Sequence, residues 1–156
     1  MTPTTGRAGH PAPPTLLYLM KQVELAVRAG LDDLTRPVGL TALQYTALTV
    51  LERRPGITSS ELARRSFVRA QTMAQTMDPL LEAGFVRRER DPGHARRLLL
   101  YLTDTGSAAI ARARPHVAEL ERLILSDFTA DEAAAFAEYL RRARRSLHES
   151  APVTAS

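Results

Sequence analysis

The sequence predicts a mostly α-helical fold with one small β-hairpin, and three observations support this prediction. Apolar residues recur at steps of three and four along most of the chain, which is the period of an amphipathic helix. Threonine is followed three residues later by glutamine or glutamate ahead of three such stretches, which is the pattern of a helix-capping box. One segment instead has the composition of two strands around an Asp-Pro-Gly turn.

The composition is that of one soluble globular domain. The 156 residues are 44% hydrophobic and 24% charged. Cysteine is absent, which excludes disulfides, thiolate zinc sites and thiol catalysis. The sequence also lacks an apolar run of membrane-spanning length and an apolar signal region. We therefore expect a cytoplasmic protein without a membrane partner.

The first two helices follow from their apolar spacing and their end signals. The stripe of the first helix comprises Leu16, Met20, Val23, Val27, Leu31 and Leu34. Pro37 and Gly39 end this helix. The second helix opens on the capping box from Thr41 to Gln44 and runs through Leu51.

Two further helices follow, separated by a tight turn. The box from Thr58 to Glu61 opens a short third helix, and the fourth begins after Ser66–Val68 and is closed by Gly84. The residues that share the apolar face of the fourth helix are Met73, Met77, Leu80 and Leu81. Pro79 lies inside this helix and removes the hydrogen bond to the Gln75 carbonyl, so we expect a bend in its second half.

A hairpin and two more helices complete the chain. The predicted strands are Phe85–Arg90 and Arg97–Thr103, on either side of the turn Asp91–His94. The fifth helix is marked by Ile110, Ala113, Val117, Leu120, Ile124 and Phe128. The box from Thr129 to Glu132 opens the sixth, whose apolar face comprises Ala133, Phe136, Leu140, Ala143 and Leu147.

This order of elements predicts a winged helix-turn-helix over residues 39–103. The helix of residues 15–38 and the helices of residues 104–150 offer more amphipathic surface than so small a domain needs. We predict that these flanking helices form a dimerisation layer. The alternative is a monomeric bundle in which the apolar stripes face each other. Residues 1–14 and 151–156 are predicted to be flexible tails.

The positive charge is concentrated in the middle of the chain, within the predicted winged helix-turn-helix. Ten arginines and five acidic residues lie between Arg53 and Arg97, whereas the rest of the chain carries a net charge of −1. A localised basic segment is typical of a surface that binds a polyanion. The alternative is a solvated face that happens to be basic.

The fourth helix offers side chains suited to reading DNA. In a helix-turn-helix, the second helix lies in the major groove with its N-terminal residues against base edges. Gln71, Thr72 and Gln75 lie away from the apolar face and can bond to adenine or phosphate, although solvated surface is the alternative. Arg69 opposes the helix dipole at the helix start, and a phosphate contact would explain it.

The hairpin adds arginines that suit insertion into a narrow minor groove. Arg90 and Arg96 are the preferred candidates, whereas Arg88 or Arg97 could instead pair with Glu89 or Asp91. The predicted DNA-binding residues are Ser60, Arg69, Gln71, Thr72, Gln75, Arg90, His94 and Arg96.

An enzyme is the alternative from another functional class. His116 and Glu119 form the one local acid–base pair, and their spacing of three is typical of a surface contact on a helix. A phosphate-binding glycine loop and a recognisable nucleophile setting are absent from the sequence. We therefore expect no catalytic residues, no metal and no cofactor.

The stretch from Thr58 to Gly106 resembles the DNA-binding core of the MarR (multiple antibiotic resistance regulator) family. The matching features are ELA in the third helix, LEAGFVRR at the end of the fourth, and a wing from Asp91 to Arg96 followed by LxLTxxG. The resemblance implies a homodimeric transcriptional regulator, usually a repressor of nearby genes. Such a dimer binds a double-stranded, pseudo-palindromic operator and is released by a small-molecule effector.

One position departs from the family wing. The family usually carries an acidic residue two places before the tip arginine, where this chain has His94. We expect this histidine to add a pH dependence to DNA binding. The alternative within the same fold is a winged-helix protein that binds DNA without sequence readout or binds a protein partner. The sequence identifies no effector-binding residue.

Overall fold

The computed structural model describes the backbone of residues 12–150 and the side chains of residues 12–147. The elements in chain order are α1 (Leu16–Thr35), a 3-10 turn (Arg36–Val38), α2 (Ala42–Arg53), α3 (Ser59–Arg65), α4 (Ala70–Glu82), β1 (Val86–Asp91), β2 (His94–Leu102), α5 (Asp104–Ile124) and α6 (Ala130–Ser150). This order confirms the predicted mostly helical fold with one hairpin. Within this described part, no helix is both long and apolar enough to cross a membrane.

The predicted tails lie mostly beyond this range. Residues 12–14 are exposed and have no regular secondary structure. Residues 1–11 and 151–156 lie outside the described residues. The chain divides into two compact units after Arg114.

The junction of α1 with α2 is built from short polar contacts. The Ala42 amide donates to Oδ1 of Asp32 at 2.6 Å, which satisfies an amide that the helix itself leaves without a partner. Thr41 and Gln44 form the predicted capping box through bonds of 3.1 and 2.9 Å. Gly39 has a φ of 77°, so the reversal before α2 needs a residue that tolerates the left-handed region.

The core of the first unit includes apolar residues of α2, α3, α4 and the first half of α5. The largest fully buried apolar side chains are Leu48, Leu51, Leu62, Met73, Leu80 and Ile110. Each such side chain contributes roughly 1.5–3 kcal/mol by leaving water. The buried face of α4 includes Met77, as its spacing predicts, and the helix continues unbroken through Pro79 to Glu82.

The wing is an antiparallel hairpin with a third, short strand contact. Leu100 of β2 forms two backbone hydrogen bonds with the loop before α3, one from the Gly56 amide at 2.9 Å and one to the Ile57 carbonyl at 2.8 Å. β2 begins at His94, three residues before the predicted Arg97. The predicted strand was too short because β2 continues to the turn by pairing with β1, and this cross-strand pairing is not a local property of the sequence.

A compact joint connects the end of α4, the end of the wing and the start of α5. The Thr103 hydroxyl accepts a hydrogen bond from the Gly106 amide at 3.1 Å and so caps α5. A Cβ atom at Gly106 would lie 2.2 Å from the Phe85 carbonyl oxygen and 2.6 Å from Leu102. Glycine is therefore required by this close approach, which explains the LxLTxxG pattern.

The second unit contains the end of α5 and the whole of α6. The prediction that the fifth helix reaches Phe128 is wrong, because α5 ends at Ile124 and the Phe128 ring stacks on Phe136 at 5.4 Å. The predicted capping box at Thr129 is confirmed by bonds of 2.8 and 3.2 Å with Glu132.

Candidate nucleic-acid interface

Helix α4 presents two chemically distinct faces. Met73, Met77 and Leu80 are buried, with exposed fractions of 0, 3 and 1%. Gln71, Thr72 and Gln75 are exposed, as the half-turn offset from this buried face predicts. The exposed face therefore carries two amide groups and a hydroxyl, each of which can bond to a base edge or a phosphate.

The N-terminus of α4 has no side-chain cap. Arg69 occupies the N-cap position with extended backbone angles, and no side-chain hydrogen bond satisfies the first amides of the helix. The other five described α-helices all begin with a threonine whose hydroxyl accepts an amide hydrogen bond: Thr15, Thr41, Thr58, Thr103 and Thr129. Open amides and an arginine at a helix start suit a phosphate oxygen as their acceptor.

Helix α3 contributes an exposed hydroxyl next to neutralised charges. Ser60 is the second residue of this helix and is exposed. Glu61 forms ion pairs with Arg64 and with Arg65, the latter at 2.7 Å. These two arginines are therefore partly compensated within the helix, which leaves Ser60 as the predicted contact on this element.

The arginines of the wing differ in whether they form an ion pair with a carboxylate. Arg87 forms an ion pair with Glu89, and its guanidinium carbon lies 4.6 Å from the centroid of the Tyr101 ring. Arg97 lies 3.7 Å from Asp91, which is one of the structural pairings that the sequence left open. Glu89 pairs with Arg87 rather than Arg88, because alternate residues of a strand share a face.

The remaining wing arginines have no carboxylate partner among the described side chains. Arg90 donates a hydrogen bond of 3.3 Å to the Ala95 carbonyl, which holds its stem along the hairpin. Arg88 and Arg96 are exposed and take part in no ion pair in the described part of the chain. His94 is exposed at the first position of β2, opposite Asp91.

The eight predicted residues lie on α3, on α4 or its N-cap, and on the wing, and all eight are exposed. One further residue of this region was not predicted from the sequence. Phe67, in the turn between α3 and α4, is 70% exposed and has a φ of 57°. The available signal was a bulky aromatic residue at a turn position that usually favours glycine.

Comparisons with known proteins agree with this arrangement. Residues 38–97 match the model of the MarR family. The HTH-type transcriptional repressor Rv2887 of Mycobacterium tuberculosis is 31% identical over 125 residues, which are 80% of this chain and 90% of the relative. The transcriptional regulator PecS of Dickeya dadantii is 29% identical, over 86% of this chain and 83% of the relative.

Solved structures of this family share the fold. A crystal structure of MarR matches with a TM-score of 0.80 and 30% identity, covering 91% of this chain and 97% of that chain. The transcriptional repressor CouR, bound to a 23-mer DNA duplex, matches with a TM-score of 0.76 and 29% identity, covering 83% and 92%. This winged-helix chain therefore belongs to the MarR family of transcriptional regulators, and it is not an enzyme.

Proposed function

We propose that the protein is a homodimer that binds a pseudo-palindromic DNA operator and represses nearby genes until a small molecule releases it. The observation that carries this proposal is the exposed polar face of α4. Gln71, Thr72 and Gln75 are exposed on a helix whose opposite face is buried, so the helix is held rigidly while these side chains remain available to bases.

Phosphate contacts would fix the orientation of this helix on the duplex. The uncapped start of α4 at Arg69 offers amides and a positive charge, and the wing offers Arg96 without a carboxylate partner among the described residues. Such contacts position a protein on DNA, whereas contacts to base edges select the sequence. Groups for phosphate contacts and groups for base contacts are therefore both available on the winged helix-turn-helix.

The dimer is supported by apolar surface that the single chain leaves exposed. On α1 this surface comprises Leu16, Leu17, Tyr18, Leu19, Met20, Val23 and Leu25, which are 39–77% exposed. In the second unit, separately, Leu123, Tyr139, Leu140 and Leu147 are 46–69% exposed. Apolar surface of this extent is typical of an interface, and two-fold symmetry is the commonest way in which identical chains cover it.

Repression and release are supported by the relatives. Rv2887 is named a repressor, and its structure in complex with salicylic acid matches this chain with a TM-score of 0.70 and 30% identity, covering 84% of this chain and 97% of that chain. A small molecule releases DNA only if it binds the DNA-free conformation of the dimer more tightly than the DNA-bound conformation. Because operators lie in the cytoplasm of the bacteria from which these relatives come, we expect this protein to act there.

A second candidate is a winged-helix protein that binds DNA without reading its sequence. The net charge of +5 between Arg53 and Arg97 favours it, because phosphate contacts alone can bind any duplex. The two candidates differ in the ratio of specific to non-specific affinity.

The deciding experiment is the selection of duplexes from a random pool at about 150 mM salt, followed by affinity measurements on the winner and a scrambled duplex. A two-fold symmetric motif with half-sites about 10 bp apart is the expected result. Sedimentation of the free protein should show two chains per particle. Enrichment without a motif would instead establish binding without sequence readout.

A matched pair of glutamine variants tests whether the exposed face of α4 contacts the bases. Gln75→Ala should cost roughly 1–3 kcal/mol on the selected operator and relax its specificity. Gln22→Ala removes an exposed glutamine from α1, away from the proposed DNA contacts, and should leave the preference for the selected operator over the scrambled duplex unchanged. Equal affinity of Gln75→Ala and wild type would show that this face of α4 does not contact the bases.

A further inference from the structure

The two faces of the wing carry different charges. Residues directly opposite each other in an antiparallel pair project to the same face of the hairpin. One face, called the inner face below, therefore holds two arginines, each opposite a leucine: Arg88 and Leu100, and Arg90 and Leu98. The other face holds the ion pair of Arg87 with Glu89. The Glu89 carboxylate thus compensates an arginine of the other face and none of the inner face.

The inner face borders a cleft of about 130 Å³ beside α4. The cleft is lined from the wing by Arg88 and Leu100, and from α4 by Ala74, Met77 and Asp78. Met77 and Leu100 are buried, whereas Ala74, Asp78 and Arg88 are exposed. The cleft therefore combines buried apolar side chains with one exposed cation and one exposed carboxylate.

The Arg88 guanidinium keeps its hydrogen-bond donors unused. Although Asp78 borders the same cleft, Arg88 forms neither an ion pair nor a side-chain hydrogen bond within the described part of the chain. Five N–H donors in a planar fork match the oxygens of a phosphate. The apolar side chains that line the cleft limit the water around the guanidinium, which strengthens its attraction for an anion.

The geometry of duplex DNA determines what would cross this cleft. In the proposed complex, α4 lies in the major groove and the arginines of the wing approach the neighbouring minor groove. One sugar–phosphate strand separates a major groove from the minor groove beside it. That strand must therefore pass between α4 and the wing, where the cleft lies.

We propose that this cleft is a binding site for the sugar–phosphate strand, and that Arg88 binds one of its phosphates in each half-site of the operator. This inference rests on the proposed function, since it requires α4 and the wing to enter neighbouring grooves. Because a phosphate carries no base identity, Arg88 adds to affinity and fixes the register of the protein on the duplex without selecting the sequence.

The first test measures operator affinity as a function of salt. In Arg88→Ala the slope of log affinity against log salt should decrease by about 0.9 for each half-site. Affinity should fall by roughly tenfold for each half-site, as expected for a hydrogen bond between charged groups. Arg88→Lys retains the charge and should keep the wild-type slope. Arg87→Ala is the matched control, because it removes the neighbouring arginine from the other face and should reduce the slope less.

The second test locates the phosphate. One symmetric pair of operator phosphates at a time is replaced by methylphosphonate, which is uncharged. Wild type should lose affinity at the pair that Arg88 contacts, whereas Arg88→Ala should lose none there. Arg88→Gln is the second neutral variant, to be used if the alanine variant melts lower than wild type.

Two results would overturn the inference. One is a wild-type salt slope in a folded neutral variant of Arg88, and the other is a neutral variant that loses as much affinity as wild type at every substituted pair. Failure of wild type to select any operator would instead overturn the proposed function itself.

Discussion

The Thr103 hydroxyl donates a hydrogen bond of 2.5 Å to the Gly84 carbonyl, which joins the start of α5 to the end of α4. Gly84 is the left-handed residue that closes α4, with a φ of 75°. Its amide donates a hydrogen bond of 3.1 Å to the Leu81 carbonyl. The same Thr103 oxygen accepts the Gly106 amide. One side chain therefore couples the end of α4 to the start of α5.

Removing the Thr103 hydroxyl should destabilise the first unit. Thr103→Val keeps the shape of the side chain but loses both the bond to Gly84 and the cap of α5. We expect the free energy of unfolding to fall by about 2 kcal/mol, measured by urea denaturation. The control is Thr105→Val, an exposed threonine in the first turn of α5. An unchanged unfolding midpoint in Thr103→Val would show that the joint does not depend on this hydroxyl.

Adding one carbon atom at the same joint should be more damaging. In Gly106→Ala the new Cβ would lie 2.2 Å from the Phe85 carbonyl oxygen, so the backbone of α5 must shift. We expect a loss of about 3 kcal/mol in the free energy of unfolding. Gly93→Ala is the matched control, because its Cβ would lie 3.5 Å from Asp91, an ordinary contact distance. Equal stability of the two variants would contradict the close approach.

Pro79 offers a substitution that should stabilise the protein. It is exposed within α4, and its ring nitrogen cannot donate to the Gln75 carbonyl. Pro79→Ala restores that bond and improves helix propensity, so the melting temperature should rise while operator affinity persists. A large fall in melting temperature would show that the packing around α4 requires the proline.

The wing should show which arginine contacts DNA. Arg96→Ala is expected to weaken binding and to reduce the slope of log affinity against log salt by about 0.9 for each phosphate that it no longer neutralises. Arg97→Ala is the matched variant, because Arg97 is 3.7 Å from Asp91 and is expected to have the smaller effect. A larger decrease of the slope in Arg97→Ala would assign the phosphate contact to the paired arginine instead.

The capping box of α6 should respond to acid. The hydrogen bond from the Thr129 amide, with a further contribution from its side chain, lowers the pKa of the Glu132 carboxyl below its usual 4.5. A lowered pKa in the folded state adds stability that is present above pH 4.5 and is lost as the pH falls through the lowered value. An NMR titration should place the Glu132 midpoint below 4.5.

The matching variant separates charge from hydrogen bonding at this cap. Glu132→Gln retains an oxygen that can accept the Thr129 amide but cannot titrate, so this part of the acid dependence of stability should disappear. Acid unfolding curves of wild type and Glu132→Gln that coincide throughout would contradict the role of the carboxylate.

Features decided by neighbouring residues were predictable from the sequence. The boxes at Thr41 and Thr129 and the glycine that closes α4 depend on side chains within one or two turns, and the structure confirms all three. The period of the apolar residues also located the exposed face of α4, including Gln75.

Features decided by distant contacts were not predictable in the same way. The early start of β2 depends on pairing across the hairpin, and Phe128 lies beyond the end of α5, where its ring contacts Phe136. Phe67 was missed because propensity rules assign a left-handed turn position to glycine, and only the backbone reveals that this phenylalanine adopts that conformation. The pairing of Arg87 with Glu89, by contrast, follows from strand alternation and could have been predicted.

The uncapped start of α4 has a consequence for the exchange of amide hydrogens with solvent. The amides of Ala70, Gln71 and Thr72 have neither a helical acceptor nor a side-chain cap, so in the free protein they depend on water. Their hydrogens should exchange quickly even while the rest of the helix is protected. A bound phosphate would slow exchange at these three positions, so DNA binding would complete the first turn of the helix.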